Sequence, residues 1–72
     1  MATPTPWQHR HFWHRLWNPD DPDSYAAIVT MPAPGEGLIS WATTAEDGTR
    51  IGEGTAETLD AARDAADRAL DV

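Results

Sequence analysis

Four tryptophans, Trp7, Trp13, Trp17 and Trp41, constrain the fold of this chain more than any other feature. The chain has 72 residues and no cysteine, so neither disulfides nor thiolate-bound zinc can stabilise it. A domain of this size buries only roughly 60% of the surface of its unfolded chain. Because an indole buries a large area, we expect the tryptophans to form much of a thin core. We also expect one or two of the first three to reach the surface or a partner.

The composition favours one folded domain. Apolar residues make up 40% of the chain and charged residues 24%, which is typical of globular proteins and not of disordered ones. No apolar run approaches the roughly 20 residues of a membrane span, and the N-terminus lacks an apolar leader, so the expected location is the cytoplasm. Pro4 and Pro6 predict a disordered tail over residues 1–6, followed by a single small α+β domain over residues 7–72.

Residues 7–17 (WQHRHFWHRLW) form an N-terminal aromatic segment. In a strand, successive side chains would point to opposite faces. One face would carry every second residue from Trp7 to Trp17, and the other face would carry the residues between them. The density of aromatic residues favours a β-strand. A helix is the alternative, because Trp13 and Trp17 are four residues apart.

The middle of the chain predicts strands separated by turns. Residues 18–23 (NPDDPD) indicate a turn, and the β-branched residues within 25–31 indicate a second strand. Residues 32–37 indicate a loop and residues 38–44 a third strand. Asp47-Gly48 predicts a hairpin turn, after which residues 50–54 can pair as a short fourth strand.

The last element is predicted to be a helix from about residue 56 to residue 70, capped by Thr55 or Thr58. One stripe of this helix is apolar and rich in small residues, and it consists of Leu59, Ala62, Ala66, Ala69 and Leu70. Small side chains would allow the helix to pack closely against a sheet. The predicted fold is therefore α+β, with a three- to four-stranded antiparallel sheet covered by one C-terminal helix.

Five acids of the predicted helix region form an acidic ridge. They follow one another at spacings of 3, 4, 3 and 4 residues, which places them within about 80° of arc, nearly opposite the apolar stripe. The ridge consists of Glu57, Asp60, Asp64, Asp67 and Asp71. One interpretation is a solvated face that keeps the protein soluble. The other is a surface that meets a basic patch on a partner, as a row of phosphates would.

The N-terminal aromatic segment is the second candidate surface. It contains Arg10, Arg15 and three histidines, whereas all 12 acids lie downstream. One interpretation is a core strand with arginines outside. The other is a binding edge, because tryptophan and arginine are the residues most enriched in interface hot spots. Arginines among aromatic side chains can also stack on single-stranded bases, but the net charge of −7 makes direct nucleic-acid binding unfavourable.

Motifs for catalysis or metal binding are weak. His9 and His11 would share one side of a strand, but no acid or cysteine lies nearby to complete a metal site, and His14 has the opposite parity. The acids of residues 20–23 lack the spacing of a calcium loop. No Gly-x-Ser-x-Gly turn surrounds either serine. We therefore predict no metal, no cofactor and no catalytic residue.

The end of the chain resembles the last strand and helix of double-stranded-RNA-binding domains. The shared features are Gly52-x-Gly54 and the alanine spacing that ends at Ala69-Leu70. That family carries lysines at the start of the helix to bind phosphates, and residues 57–60 (ETLD) stand here instead. The resemblance therefore implies a similar strand and helix without the RNA-binding chemistry. The C-terminal part also looks like short proteins of actinobacteria and their phages.

These observations predict a non-enzymatic protein-binding module, such as a phage-type modulator or inhibitor of a host protein, with homodimerisation as a further expectation. The alternative is an acidic imitator of nucleic acid or a small nucleic-acid-associated regulator. The candidate partner-binding residues are Trp7, Arg10, Trp13, Arg15, Trp17, Glu57, Asp60, Asp64, Asp67 and Asp71.

Overall fold

A computed structural model describes residues 3–32 and 37–70, which form one antiparallel sheet and one helix. The elements are β1 (Gln8–His9), β2 (Trp13–Leu16), β3 (Tyr25–Thr30), β4 (Ile39–Thr44), β5 (Arg50–Ala56) and α1 (Leu59–Leu70). The strands pair in chain order, and each pair of neighbours is antiparallel. The predicted α+β class, with an antiparallel sheet and a C-terminal helix, is confirmed.

The additional strand lies in the N-terminal aromatic segment, which is neither one strand nor a helix. Two short strands pair antiparallel, with Gln8 opposite His14 and His9 opposite Trp13. The backbone N–H of Arg10 donates to the carbonyl of Phe12 at 3.2 Å and closes the turn between them. The sheet thus has five strands instead of the predicted three to four. The turn contains none of the residues that usually mark one, so the local sequence does not predict it.

The hairpin predicted at Asp47-Gly48 is present between β4 and β5. Gly48 has a φ of 91°, a conformation that suits glycine, and its N–H donates to the carbonyl of Ala45 at 2.9 Å. The N–H of Ala45 in turn donates to the carbonyl of Thr49 at 2.8 Å. A tight turn therefore joins the two strands, as the sequence indicates.

Strand β5 is longer and helix α1 is shorter than predicted, because β5 continues to Ala56 and α1 begins at Leu59. Thr58 is the residue that caps the helix, since its Oγ1 accepts a hydrogen bond from the N–H of Ala61 at 3.1 Å. Thr55 instead pairs with Ser40 inside the sheet. Of the two predicted capping residues, Thr58 is therefore the one that caps the helix.

Helix α1 lies over β3, β4 and β5 and buries its alanine stripe against them. Ala62, Ala66 and Leu70 are buried in the helix, as predicted. The buried apolar residues beneath them are Ala26, Ala27, Val29 and Ile39. All four tryptophans are half-buried around this small core. No indole is fully enclosed, so each one both packs inside and reaches the surface.

Two glycines of β5 explain how the helix and Trp41 come so close to the sheet. A Cβ on Gly54 would lie 2.9 Å from Cζ2 of Trp41, so the indole rests against bare backbone. A Cβ on Gly52 would lie 2.9 Å from the Cβ of Ala69 on the helix. Real Cβ atoms do not approach so closely, so both glycines are required for this packing.

The described part of the predicted tail, residues 3–6, contains no helix or strand, but it contacts β2. The N–H of Thr5 donates to the carbonyl of Leu16 at 2.8 Å, and the N–H of Leu16 donates to Oγ1 of Thr5 at 3.0 Å. Pro4 is buried. The predicted loop at residues 32–37 lies mostly outside the described residues, and Asp71 lies entirely outside them.

Candidate functional site

Asp67 connects the two surfaces that the sequence indicates separately. Its Oδ1 accepts a hydrogen bond from Nη1 of Arg15 at 2.6 Å, and its Oδ2 accepts one from the indole N–H of Trp7 at 3.3 Å. Arg15 also donates through Nε to the carbonyl of Thr5 at 2.8 Å. The N-terminal aromatic segment is thereby attached to the helix, and an acid of the ridge forms part of that attachment.

A second contact lies one turn earlier on the helix. The guanidinium of Arg63 lies over the ring of Trp13, with its Cζ 4.9 Å from the ring centroid. The guanidinium of Arg15 similarly lies 5.9 Å from the ring of Trp7. Both distances fall within the range of cation–π attraction. We call the surface formed by Trp7, Trp13, Arg15, Arg63 and Asp67 the joint surface.

The remaining acids of the ridge are largely compensated by arginines on the same helix. Arg63 pairs with Asp60, and Nη2 of Arg68 lies 3.1 Å from Oδ2 of Asp64. Glu57 is exposed just before the helix begins. Asp60, Asp64 and Asp67 thus each have an arginine partner among the described residues. The helix therefore presents mixed charge instead of a uniform row of carboxylates.

Trp17 and Arg10 do not belong to the joint surface. The indole N–H of Trp17 donates to the carbonyl of Thr44 at 2.8 Å, and its ring packs on the buried cluster around Ala66 and Leu70. Arg10 is exposed in the turn between β1 and β2. Of the candidate partner-binding residues, the structure brings together Trp7, Trp13, Arg15 and Asp67.

A cleft on the opposite side of β2 is a site that the sequence did not predict. Trp13 and Arg15 face the helix, so His14 and Leu16 face away from it. The rings of Phe12, His14 and Tyr25 lie in mutual contact there, with centroids 5.6–5.8 Å apart. These three rings line a cavity of about 250 Å³, which we call the N-terminal cleft. The sequence does contain a signal for this cleft, because Phe12 and His14 lie on the same face of the period-two pattern.

His14 is unusual within this cleft because it is a buried polar residue, only 6% exposed. Its Nδ1 has no hydrogen-bond partner among the described residues. An unpaired polar atom of this kind costs about 1–3 kcal/mol of stability. Such atoms are rare in folded proteins, so His14 is held in the cleft at a cost in stability.

Within residues 3–32 and 37–70, no three His, Asp or Glu side chains come together to hold a metal ion. Within the same residues, no helix has both the length and the apolar character needed to cross a membrane.

Comparisons with protein-family models, with curated proteins and with solved structures found no match to this chain.

Proposed function

We propose that this chain is a non-enzymatic protein-binding module that contacts its partner through the joint surface. The observation that supports this proposal most is the contact of Asp67 with both Arg15 and Trp7. It places half-exposed indoles, arginines and a carboxylate side by side on one surface. Tryptophan and arginine dominate the energy of many protein interfaces, and a fixed arrangement lowers the entropy lost on binding.

The partner is another protein, and the module acts as a modulator or inhibitor of it, as a phage-type protein would. A second copy of the chain is a further candidate, because β1 and β5 are the two edges of the sheet. Sedimentation distinguishes self-association from binding to a different protein. The proposed location is the cytoplasm.

The alternative function, an acidic imitator of nucleic acid, has weaker support. Asp60, Asp64 and Asp67 each pair with an arginine, which reduces the field that a basic partner would meet. An imitator's binding should weaken steeply as salt is added, whereas aromatic docking should depend on salt only slightly. A salt titration of the complex therefore separates the two functions.

Affinity capture with matched variants tests the proposal. The chain is immobilised, and the proteins it retains are compared between wild type, Arg63→Ala and Arg68→Ala. Arg63 lies over Trp13 in the joint surface, whereas Arg68 pairs with Asp64 and its side chain is 80% exposed. Both variants remove one arginine from the same helix. We expect Arg63→Ala to reduce retention of the partner and Arg68→Ala to preserve it.

Two outcomes would contradict this function. If Arg63→Ala and Arg68→Ala retained the same proteins equally well, the joint surface would not be the contact. If the purified chain turned over a substrate, the non-enzymatic part of the proposal would be wrong. Circular dichroism of both variants checks that the fold is unchanged.

A further inference from the structure

The N-terminal cleft combines an apolar wall with a basic rim. Phe12 and Tyr25 supply flat aromatic surface, and Pro19 and Pro22 close the other side. Arg10, His11 and His14 line the same cavity. Ligand sites are typically apolar cavities that contain a few polar groups, and this cleft has both components.

The size of the cleft limits what it can hold. Its volume is about 250 Å³, just below the usual range for ligand sites of about 300–1,000 Å³. Cavities of about 400 Å³ and 390 Å³ lie elsewhere on the protein, but both are shallower and more open. A single small ring with one polar substituent is the appropriate size for the N-terminal cleft.

The charge of the lining indicates the sign of the ligand. No acid of the described residues lines the cleft, although the whole chain carries a net charge of −7. The nearest acids along the chain are Asp20, Asp21 and Asp23, which are exposed in the turn that also carries the lining prolines. Arg10 is exposed, and its guanidinium is always charged. Arg10 therefore offers an anion a charged hydrogen-bond donor at the cleft.

His14 adds a further aromatic surface to the cleft. Its ring lines the cleft and is 94% buried, and its Nδ1 is closed to solvent and has no partner among the described residues. A ligand in the cleft lies against the ring that carries this nitrogen.

We propose that the N-terminal cleft binds a small organic acid with a flat apolar body, with Arg10 holding its carboxylate and Phe12, His14 and Tyr25 holding its ring. The cleft lies on the face of β2 opposite to the joint surface. The two sites therefore use different faces of β2, and either one can be present without the other.

Benzoate tests the proposal, and benzamide is the matched ligand without charge. Each is titrated into ¹⁵N-labelled protein at constant ionic strength while amide chemical shifts are recorded. We expect benzoate to cause saturable shifts that are largest at Phe12, His14 and Tyr25, and benzamide to bind more weakly. Arg10→Gln should weaken benzoate binding about tenfold or more, because it removes a charged hydrogen-bond donor.

Arg50→Gln is the control for loss of one positive charge, because Arg50 lies on β5 and pairs there with Glu53. It should leave benzoate binding unchanged. The proposal is overturned if benzoate shifts do not saturate, if benzamide binds equally well, or if Arg10→Gln and Arg50→Gln have the same effect.

Discussion

Arg15 and Asp67 are separated by 52 positions in the chain, yet Nη1 of Arg15 lies 2.6 Å from Oδ1 of Asp67. The Arg15 side chain is 12% exposed and that of Asp67 is 38% exposed, so the pair is shielded on the arginine side. The same carboxylate accepts the indole N–H of Trp7. One acid of the last helix thus connects the beginning of the chain to its end.

Replacing Asp67 should therefore cost more stability than replacing the other acids of the ridge. Asp67→Ala leaves the guanidinium of Arg15 largely buried without its carboxylate, and we expect a loss of about 1–2 kcal/mol in the free energy of unfolding. Asp64→Ala breaks an exposed pair on one helix and should cost about 0.5 kcal/mol or less. Urea unfolding measures both, and equal losses would show that the contact of Asp67 contributes no special stability.

Gly54→Ala should destabilise the protein by about 1–3 kcal/mol, because the new methyl group would overlap the indole of Trp41. The ring has little room to move, since it packs against both buried clusters. Thr55→Ala changes the adjacent exposed residue of the same strand and should cost about 1 kcal/mol at most. Thermal melts compare the two variants. If Gly54→Ala did not lower the melting temperature, the indole of Trp41 would be able to move away from residue 54.

Trp17→Ala should lower the free energy of unfolding by more than about 1 kcal/mol, because it removes a half-buried ring from the cluster around Leu70. Trp17→Phe keeps most of that packing but loses the hydrogen bond to the carbonyl of Thr44, so it should cost about 1 kcal/mol. Chemical denaturation of both variants separates packing from hydrogen bonding. If neither variant lost stability, the ring would be dispensable to the fold.

Asp47 makes the β4–β5 hairpin sensitive to pH. The backbone N–H of Thr49 donates to its carboxylate at 2.9 Å, and this bond, with one from the Thr49 side chain, holds the pKa of Asp47 below its ordinary value. The stabilisation is present above the unfolded pKa of about 3.9 and is lost as the pH falls through the lower folded pKa.

Asp47→Asn should remove this part of the pH dependence of stability below pH 4 or so. A carboxyl chemical-shift titration of the wild-type protein gives the pKa directly. A value at or above that of a free aspartate would show that the turn does not bond the carboxylate in solution.

Local signals were sufficient to predict much of the fold. Asp47-Gly48 predicts the hairpin because glycine tolerates a positive φ, and the alanine stripe predicts the buried face of the helix because its period matches the helical turn. The sequence also predicts Thr58 as one of two capping residues, because capping depends on neighbours only three residues apart. These elements depend on residues that are close together in the chain, so the local sequence is sufficient to predict them.

The order of the residues is sufficient to predict the antiparallel strands and the terminal helix, and it supplies the residue types from which a binding surface could be built. Long-range packing makes Asp67 different from Asp60 and Asp64, which share its spacing and its residue type. The same packing accompanies the turn that folds the N-terminal aromatic segment back on itself and places His14 in a cleft. These outcomes depend on partners that are distant along the chain, and a contact across 52 positions leaves no periodic signal.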